Sequence, residues 1–330
     1  MNCLVIGGTG FIGRLLVAEL LKAGHAVTLL HRRPSHTLGR RVKNLQADRN
    51  DGHAVRAALA GRNFEVVFDN VYDWERGTTA GHVESTARAA AGDTLQRYIY
   101  MSSVAAYGDG LNHHEGDALA PDDEADLYVR NKAMSERALF RLHQRIGLPV
   151  VTLRPPFVYG PGHGNTFYRE AFFWDRLRAG REIIVPGDGR RLMQFVHVKD
   201  LVKAAMKSME LPTAVGHAFN IANARPISQT EAVEAFAKAC KKPARMVRIS
   251  REYIHRAGGN PMGPKLYFGT HFDMPPITQV TAKTQRILKL KTTDYLAGLK
   301  ETYKWYLRHN DFPEPDFGFE DKLLAKAPRL

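Results

Sequence analysis

Residues 2–13 read Asn2-Cys3-Leu4-Val5-Ile6-Gly7-Gly8-Thr9-Gly10-Phe11-Ile12-Gly13, and the fold turns on this stretch. A short apolar run stops at glycines, and an apolar, helix-forming segment starts at once and reaches Ala23. Strand, tight turn and helix follow one another, with Gly8-x-Gly10-x-x-Gly13 at the turn. Glycines there permit the turn, let backbone approach a pyrophosphate and let the helix pack close on the strand. The helix N-terminus adds N–H groups and the positive end of a dipole, both suited to phosphate. The reading predicts a dinucleotide held by Gly7, Thr9, Gly10, Phe11, Ile12 and Gly13.

Outward from this turn, apolar runs of strand length alternate with helical patterns. Strands are predicted at 3–7, 26–30, 42–46, 66–69, 98–102 and 150–153, and helices at 11–23, 54–59, 77–91 and 126–146. The runs are rich in Val, Ile and Leu rather than alternating, as strands buried on both faces are. The fold class is therefore α/β, a doubly wound parallel sheet, with a smaller C-terminal lobe. In the second half the pattern predicts an aromatic-rich helix at 165–178 and a strand at 182–185 before Pro186-Gly-Asp-Gly189. A strand at 195–197 leads into a helix through Met209, and another strand lies at 217–221. Helices at 229–239 and 293–309 flank a Gly/Pro-rich loop around 257–276. Beyond Phe312 the chain is rich in proline and charge and is expected to fray.

The 330 residues, 44% hydrophobic and 25% charged, are long enough for two domains. No run approaches the ~18 apolar residues of a membrane span, and no basic leader opens the chain. Two cysteines, Cys3 and Cys240, form no disulfide framework, so a cytoplasmic setting is expected. Of the formal net charge of +13, residues 241–330 carry 17 Lys/Arg against 9 Asp/Glu. That surplus fits either an anionic partner or a solvated basic surface.

Tyr128 and Lys132 are four residues apart in a helical stretch, so phenol and ammonium share one face. A cation near the phenol is expected to lower its pKa and make Tyr128 an acid/base group. Ser103 closes the strand of Tyr98-Ile-Tyr-Met-Ser102-Ser103, at the edge where parallel sheets bind ligands. The histidines show no metal-ligand spacing, and no metal is expected.

The order of Gly7-Gly-Thr-Gly-Phe-Ile-Gly13, Ser103-x-x-x-Tyr107-Gly108, Tyr128-x-x-x-Lys132 with Glu136, and Arg154-Pro-Pro-Phe-Val-Tyr-Gly-Pro161 resembles that of the extended short-chain dehydrogenase/reductase family. Phe195-Val-His-Val-x-Asp200 and Phe219-Asn220-Ile continue the resemblance to this NAD(P)-dependent epimerase/dehydratase type over nearly the whole chain. The resemblance implies a Rossmann domain at 1–165, partly rejoined by 183–222, and a substrate lobe at 166–330. It implies a triad in which Ser103 hydrogen-bonds the reacting oxygen, Tyr128 moves the proton and Lys132 holds the nicotinamide ribose. Asp48 matches the adenine contact, and Pro155 joins the cofactor set. The implied reaction is epimerisation or reduction at a hydroxyl or carbonyl of a sugar or nucleotide sugar. Tyr107, Asn165 and Arg191 are candidate substrate contacts. A homodimer through 77–91 and 126–146 is also implied.

Several departures sharpen this. The second strand ends in His31-Arg32-Arg33 rather than an acid, so the cofactor NAD(P) is expected to be NADP, with Arg32 and Arg33 on its 2′-phosphate. Val104 and Ala105 follow Ser103 and transfer no protons, which disfavours a 4,6-dehydratase. Met193 stands where the family commonly grips a diphosphate with arginine, leaving Arg190 or Arg191 as substitutes. Asp69-Asn70-Val71-Tyr72 replaces the usual His-x-Ala-Ala. These oddities resemble the branch of chloroplast stem-loop RNA-binding proteins and their bacterial relatives. An RNA-binding protein on a dehydrogenase scaffold is therefore the alternative to an enzyme.

Overall fold

Seven parallel strands form the main sheet of this computed structural model, in the order 217–220, 150–154, 97–101, 66–69, 2–6, 26–31 and 42–46. The structure describes residues 1–163, 169–261, 271–309 and 315–330. The strands and helices begin with β1 (Asn2–Ile6), α1 (Phe11–Lys22), β2 (Ala26–His31), β3 (Val42–Gln46) and α2 (Gly52–Leu59). Next come β4 (Val66–Asp69), α3 (Ala80–Ala90), β5 (Arg97–Met101), β6 (Gly110–His113), α4 (Leu127–Ile146) and β7 (Val150–Arg154). Then follow β8 (Phe157–Tyr159), α5 (Arg169–Arg178), β9 (Ile183–Pro186), β10 (Leu192–Met193), β11 (Phe195–His197), α6 (Val198–Glu210) and β12 (His217–Asn220). The remainder is β13 (Ile227–Ser228), α7 (Gln229–Cys240), β14 (Met246–Ile249), α8 (Arg251–Arg256), β15 (Ile277–Gln279), α9 (Ala282–Ile287), α10 (Tyr295–Tyr306) and α11 (Gly318–Lys326).

The chain divides into two units, each assembled from three segments. The first holds Met1–Phe157, Val198–Ala222 and Gln279–Thr292; the second holds Val158–His197, Asn223–Thr278 and Thr293–Leu330. Residues 183–197 thus belong to the second unit, whereas Val198–Ala222 and Gln279–Thr292 return to the first, the former supplying β12 to the sheet. In the first unit α1 and α6 pack together, and α2, α3 and α4 pack in sequence. Leu4, Ile6, Leu30, Val67, Tyr98 and Tyr100 from the strands bury against Val55, Val83, Leu139 and Leu142 from α2, α3 and α4. Full burial of one such side chain contributes roughly 1.5–3 kcal/mol. Strand order reverses between β1 and β4, so the carboxyl ends of those strands form the crevice where this architecture binds ligands.

In the second unit β9 pairs with β14 in parallel and β10 pairs with β13 antiparallel. The expected frayed tail is in fact partly helical. In α11, Glu320 and Leu323 are buried, and Asp321 accepts from Arg176 at 3.0 Å. Phe317 lies beneath the Arg176 and Arg181 guanidiniums, each 5.2 Å from its ring centre. No proline lies between Pro315 and Pro328, and the nine residues of α11 in that interval form a helix anchored by charge and burial.

Candidate active site

The crevice starts at the glycine turn. Gly7 has φ +83°, and a β-carbon there would lie 2.6 Å from Val71 Cγ2 and 2.7 Å from the Asn70 carbonyl oxygen. A β-carbon on Gly13 would run into the Gly7 carbonyl and lie 2.7 Å from Gly8 Cα. Gly10 differs: within 4 Å its β-carbon would meet only the Gly7 oxygen, at 3.9 Å. Packing therefore demands glycine at 7 and 13, whereas at 10 it leaves an open cradle at the N-cap of α1. That cradle, beside a helix N-terminus, fits a pyrophosphate.

A cavity of about 320 Å³ extends from the turn and is lined by Gly7, Thr9, Arg32, Arg33, Asp48 and Tyr72 among others. Two of its lining carboxylates, Asp48 and Asp73, are held by a cation that sequence reasoning missed. Arg76, from the loop after β4, donates to Asp48 Oδ2 at 2.7 Å and to Asp73 Oδ2 at 2.6 Å. Arg32 reaches the same Asp73 oxygen at 3.5 Å. Burial alone would raise both carboxyls. For Asp48 the Asn50 N–H and Arg76 outweigh it, and for Asp73 the Arg76 and Glu75 contacts do, so both stay below the usual range. No periodicity announces a loop arginine, which is why the signal was invisible.

Deeper in the crevice, β5 and α4 bring Ser103, Tyr128 and Lys132 together. Ser103 caps a 3-10 turn (Val104–Tyr107) by accepting from the Ala105 N–H at 3.1 Å, and it is hydrogen-bonded to Tyr128. Asp126 caps α4 by accepting from the N–H groups of Tyr128 and Val129, which fixes where the helix starts. One turn on, the buried Lys132 Nζ donates to the Met101 carbonyl at 2.7 Å and lies 5.8 Å from the centre of the Tyr128 ring. Pro155 anchors the neighbouring strand end, its carbonyl accepting from the Val104 N–H at 2.9 Å.

The expectation of a lowered Tyr128 pKa is corrected. Burial pushes it up to about 12; Ser103 pulls it down, while Tyr72 and Asp126 add to the rise. Lys132, whose ammonium donates to the Met101 carbonyl, is itself depressed. Burial brings Lys132 down to about 8, against opposing pulls from Asp69 and Glu136. The lysine is cationic below that value and loses its proton as pH rises through it. Catalysis that needs the cation is expected to hold level up to about pH 8 and then fall tenfold per unit. A pH profile of kcat/KM that stays level to pH 10 contradicts this.

Two buried ion pairs brace the site. Arg49 donates to Asp69 at 2.5 Å, to Thr86 Oγ1 at 2.6 Å and to the His82 carbonyl at 2.6 Å, while Tyr98 Oη donates to Asp69 at 2.7 Å. Arg154 donates to Glu136 at 2.6 Å and to Tyr107 Oη at 2.6 Å, and Tyr107 donates to Asn220 at 2.8 Å. The departure at Asp69 is thus a buried counter-ion. The Tyr107 hydroxyl is committed on both sides, and its ring stacks on His113 at 4.5 Å. In the second unit Arg191 donates to the Asp273 carbonyl at 2.8 Å. Met193, where the grip is missing, is buried. Asn165 lies outside the described residues.

The glycine turn, the reversal of strand order and the serine–tyrosine–lysine cluster agree with a family model, the NAD dependent epimerase/dehydratase family, which matches residues 3–222. The chain belongs to that family. A chloroplast stem-loop binding protein of 41 kDa b from Arabidopsis thaliana is 31% identical, over 98% of this chain and 84% of that protein. A 3-beta-hydroxysteroid dehydrogenase from Mycolicibacterium neoaurum is 26% identical over 77% of this chain and 74% of its own length. Among solved structures, a dTDP-glucose 4,6-dehydratase from Bacillus anthracis str. Ames, in complex with NAD, matches with a TM-score of 0.75. It covers 94% of this chain and 98% of its own, at 17% identity, a likeness of fold. The glycine turn and the residues around Tyr128 lie on the same unit of this chain. No helix among the described residues is long and apolar enough to cross a membrane.

Proposed function

We propose that the chain is an NADP-dependent reductase or epimerase acting on a secondary alcohol or ketone, the sugar class being the one its family implies. The carrying observation is the meeting of Ser103, Tyr128 and Lys132 at the end of β5, next to the glycine cradle. Gly7, Thr9, Gly10, Phe11, Ile12 and Gly13 would hold the pyrophosphate, with Asp48 toward the adenine and Lys132 toward the ribose. When bound, a nicotinamide exchanges hydride with the reacting carbon. Ser103 donates a hydrogen bond to the reacting oxygen, and Tyr128 gives it a proton in reduction or takes one in oxidation. Val104 and Ala105 beside them carry no group that moves a proton, which favours this over loss of water. The buried Met193 and the engaged Arg191 weigh against a nucleotide-sugar diphosphate as the obligatory handle.

The NADP preference rests on Arg32 and Arg33, both lining the cavity beyond a strand that ends without an acid. Replacing both by alanine is expected to weaken NADP⁺ binding roughly 10- to 100-fold and to leave NAD⁺ within about twofold. Titration of the two cofactors checks this; equal affinity of the unsubstituted protein for both, or a preference for NAD⁺, overturns the preference.

RNA binding is the second reading, favoured by the Arabidopsis relative's name and by the basic surplus of residues 241–330. A steep salt dependence of RNA affinity at constant cofactor binding supports it, whereas NADP⁺ reduction by a secondary alcohol supports the enzyme.

A further inference from the structure

The cavity beside the glycine turn sets opposite charges against one another. Arg32 and Arg33 line it, and so do the carboxylates of Asp48 and Asp73. A carboxylate with no partner of its own would cancel a neighbouring guanidinium and repel an incoming phosphate. Asp73 is the sharper case. Its side chain is only 9% exposed, and its Oδ2 lies 3.5 Å from Arg32 Nη1.

Arg76 resolves the conflict. It is not among the residues that line the cavity, yet its one guanidinium serves both acids that do. Nη2 donates to Asp48 Oδ2 at 2.7 Å and to Asp73 Oδ2 at 2.6 Å, and Nε donates to that same Asp73 oxygen at 2.9 Å. The second Asp73 oxygen accepts from the Glu75 N–H at 3.0 Å and the Arg76 N–H at 3.1 Å. Asp48 Oδ1 accepts from the Asn50 N–H at 2.9 Å. Both carboxylates are thus filled by shorter bonds than the one that reaches Arg32, whose side chain is 62% exposed. Along Asp48, Arg76, Asp73 and Arg32 the charges alternate in sign, and the last guanidinium keeps charge to offer.

The loop does not need the Arg76 side chain to hold its shape. The Asp73 N–H donates to Thr78 Oγ1 at 3.0 Å, the Gly77 N–H to the Asp73 carbonyl at 2.9 Å, and Asn50 Nδ2 to the Gly77 carbonyl at 2.7 Å. From this we infer that Arg76 is a positioning residue for cofactor selectivity: by neutralising Asp48 and Asp73 it leaves Arg32 available to a phosphate on the adenosine ribose. The inference rests on the reading that Arg32 and Arg33 meet the 2′-phosphate, and it adds a cation that acts without touching that group.

Calorimetric titration of the full-length protein compares adenosine 2′,5′-bisphosphate with adenosine 5′-monophosphate, which differ only in the 2′-phosphate. Arg76→Gln is expected to weaken the bisphosphate roughly tenfold and the monophosphate by less than about threefold. Retained monophosphate binding shows that the cavity is still folded. Adding Asp73→Asn to Arg76→Gln removes the exposed charge and keeps an oxygen for the Glu75 N–H. That double variant is expected to bind the bisphosphate within about threefold of the unsubstituted protein. No loss in Arg76→Gln, or equal losses on both ligands, overturns the inference. A bisphosphate loss that Asp73→Asn leaves unrepaired also overturns it, because Arg76 would then act on the phosphate directly. The 2′-phosphate reading fails separately, if the unsubstituted protein binds the two ligands equally. In that event a bisphosphate-only loss that Asp73→Asn repairs still upholds the shielding by Arg76, and any other result overturns both.

Discussion

Tyr128→Phe is expected to reduce turnover roughly 10²- to 10⁴-fold, the usual contribution of a positioned acid/base group. The phenylalanine ring keeps the stack on Trp74 and the edge contact with Tyr72, so the aromatic cluster survives and only the hydroxyl is lost. Cofactor affinity is expected to stay within about twofold, because the cradle at Gly10 and the rim at Arg32 and Arg33 are untouched. Measured together, steady-state rates and a binding titration separate chemistry from assembly. Turnover that persists in this variant removes Tyr128 from the acid/base role.

The second large effect concerns folding. Asp69→Ala leaves Arg49 buried with its charge uncompensated, since Arg49 and Asp69 are 5% and 0% exposed. Breaking such a pair from one side costs roughly 3–5 kcal/mol, far more than the intact pair is worth against an apolar replacement. Denaturant unfolding followed by circular dichroism reads this directly. Glu84→Ala provides the contrast: it removes a surface pair with Arg88 and is expected to cost under about 1 kcal/mol. Similar losses in the two variants would mean that Arg49 finds another partner or escapes to water.

The buried pair also shows where sequence reading stops. The turn at 7–13, strands β1 to β5 and the alternation with helices were legible because strands covered on both faces leave continuous apolar runs. The helical spacing of Tyr128 and Lys132 was legible because a period near four survives any context. Arg76 and Trp74 were not, since both sit in a loop whose shape depends on Asp73 and Thr78 within it and on Asn50 from elsewhere in the chain. The sign of the Tyr128 shift was also out of reach, because burial and the Met101 carbonyl are facts of three dimensions. Tyr107 lay in a family motif, but its hydrogen bonds with Arg154 and Asn220 were not legible. Helix α11 was hidden by the prolines that precede it.

The three-segment make-up of the first unit bears on how the chain is made. β7 is buried along its whole length, and its outer neighbour β12 comes from residues 217–220, after the chain has built β9 and α6. A ribosome releasing this protein therefore exposes an apolar sheet edge, Val150 to Leu153, for the time it takes to add more than sixty residues. Such an edge pairs readily with other chains. Synthesis at ~5–20 residues per second leaves it bare for several seconds, long enough for a chaperone, or a neighbouring nascent chain, to reach it first.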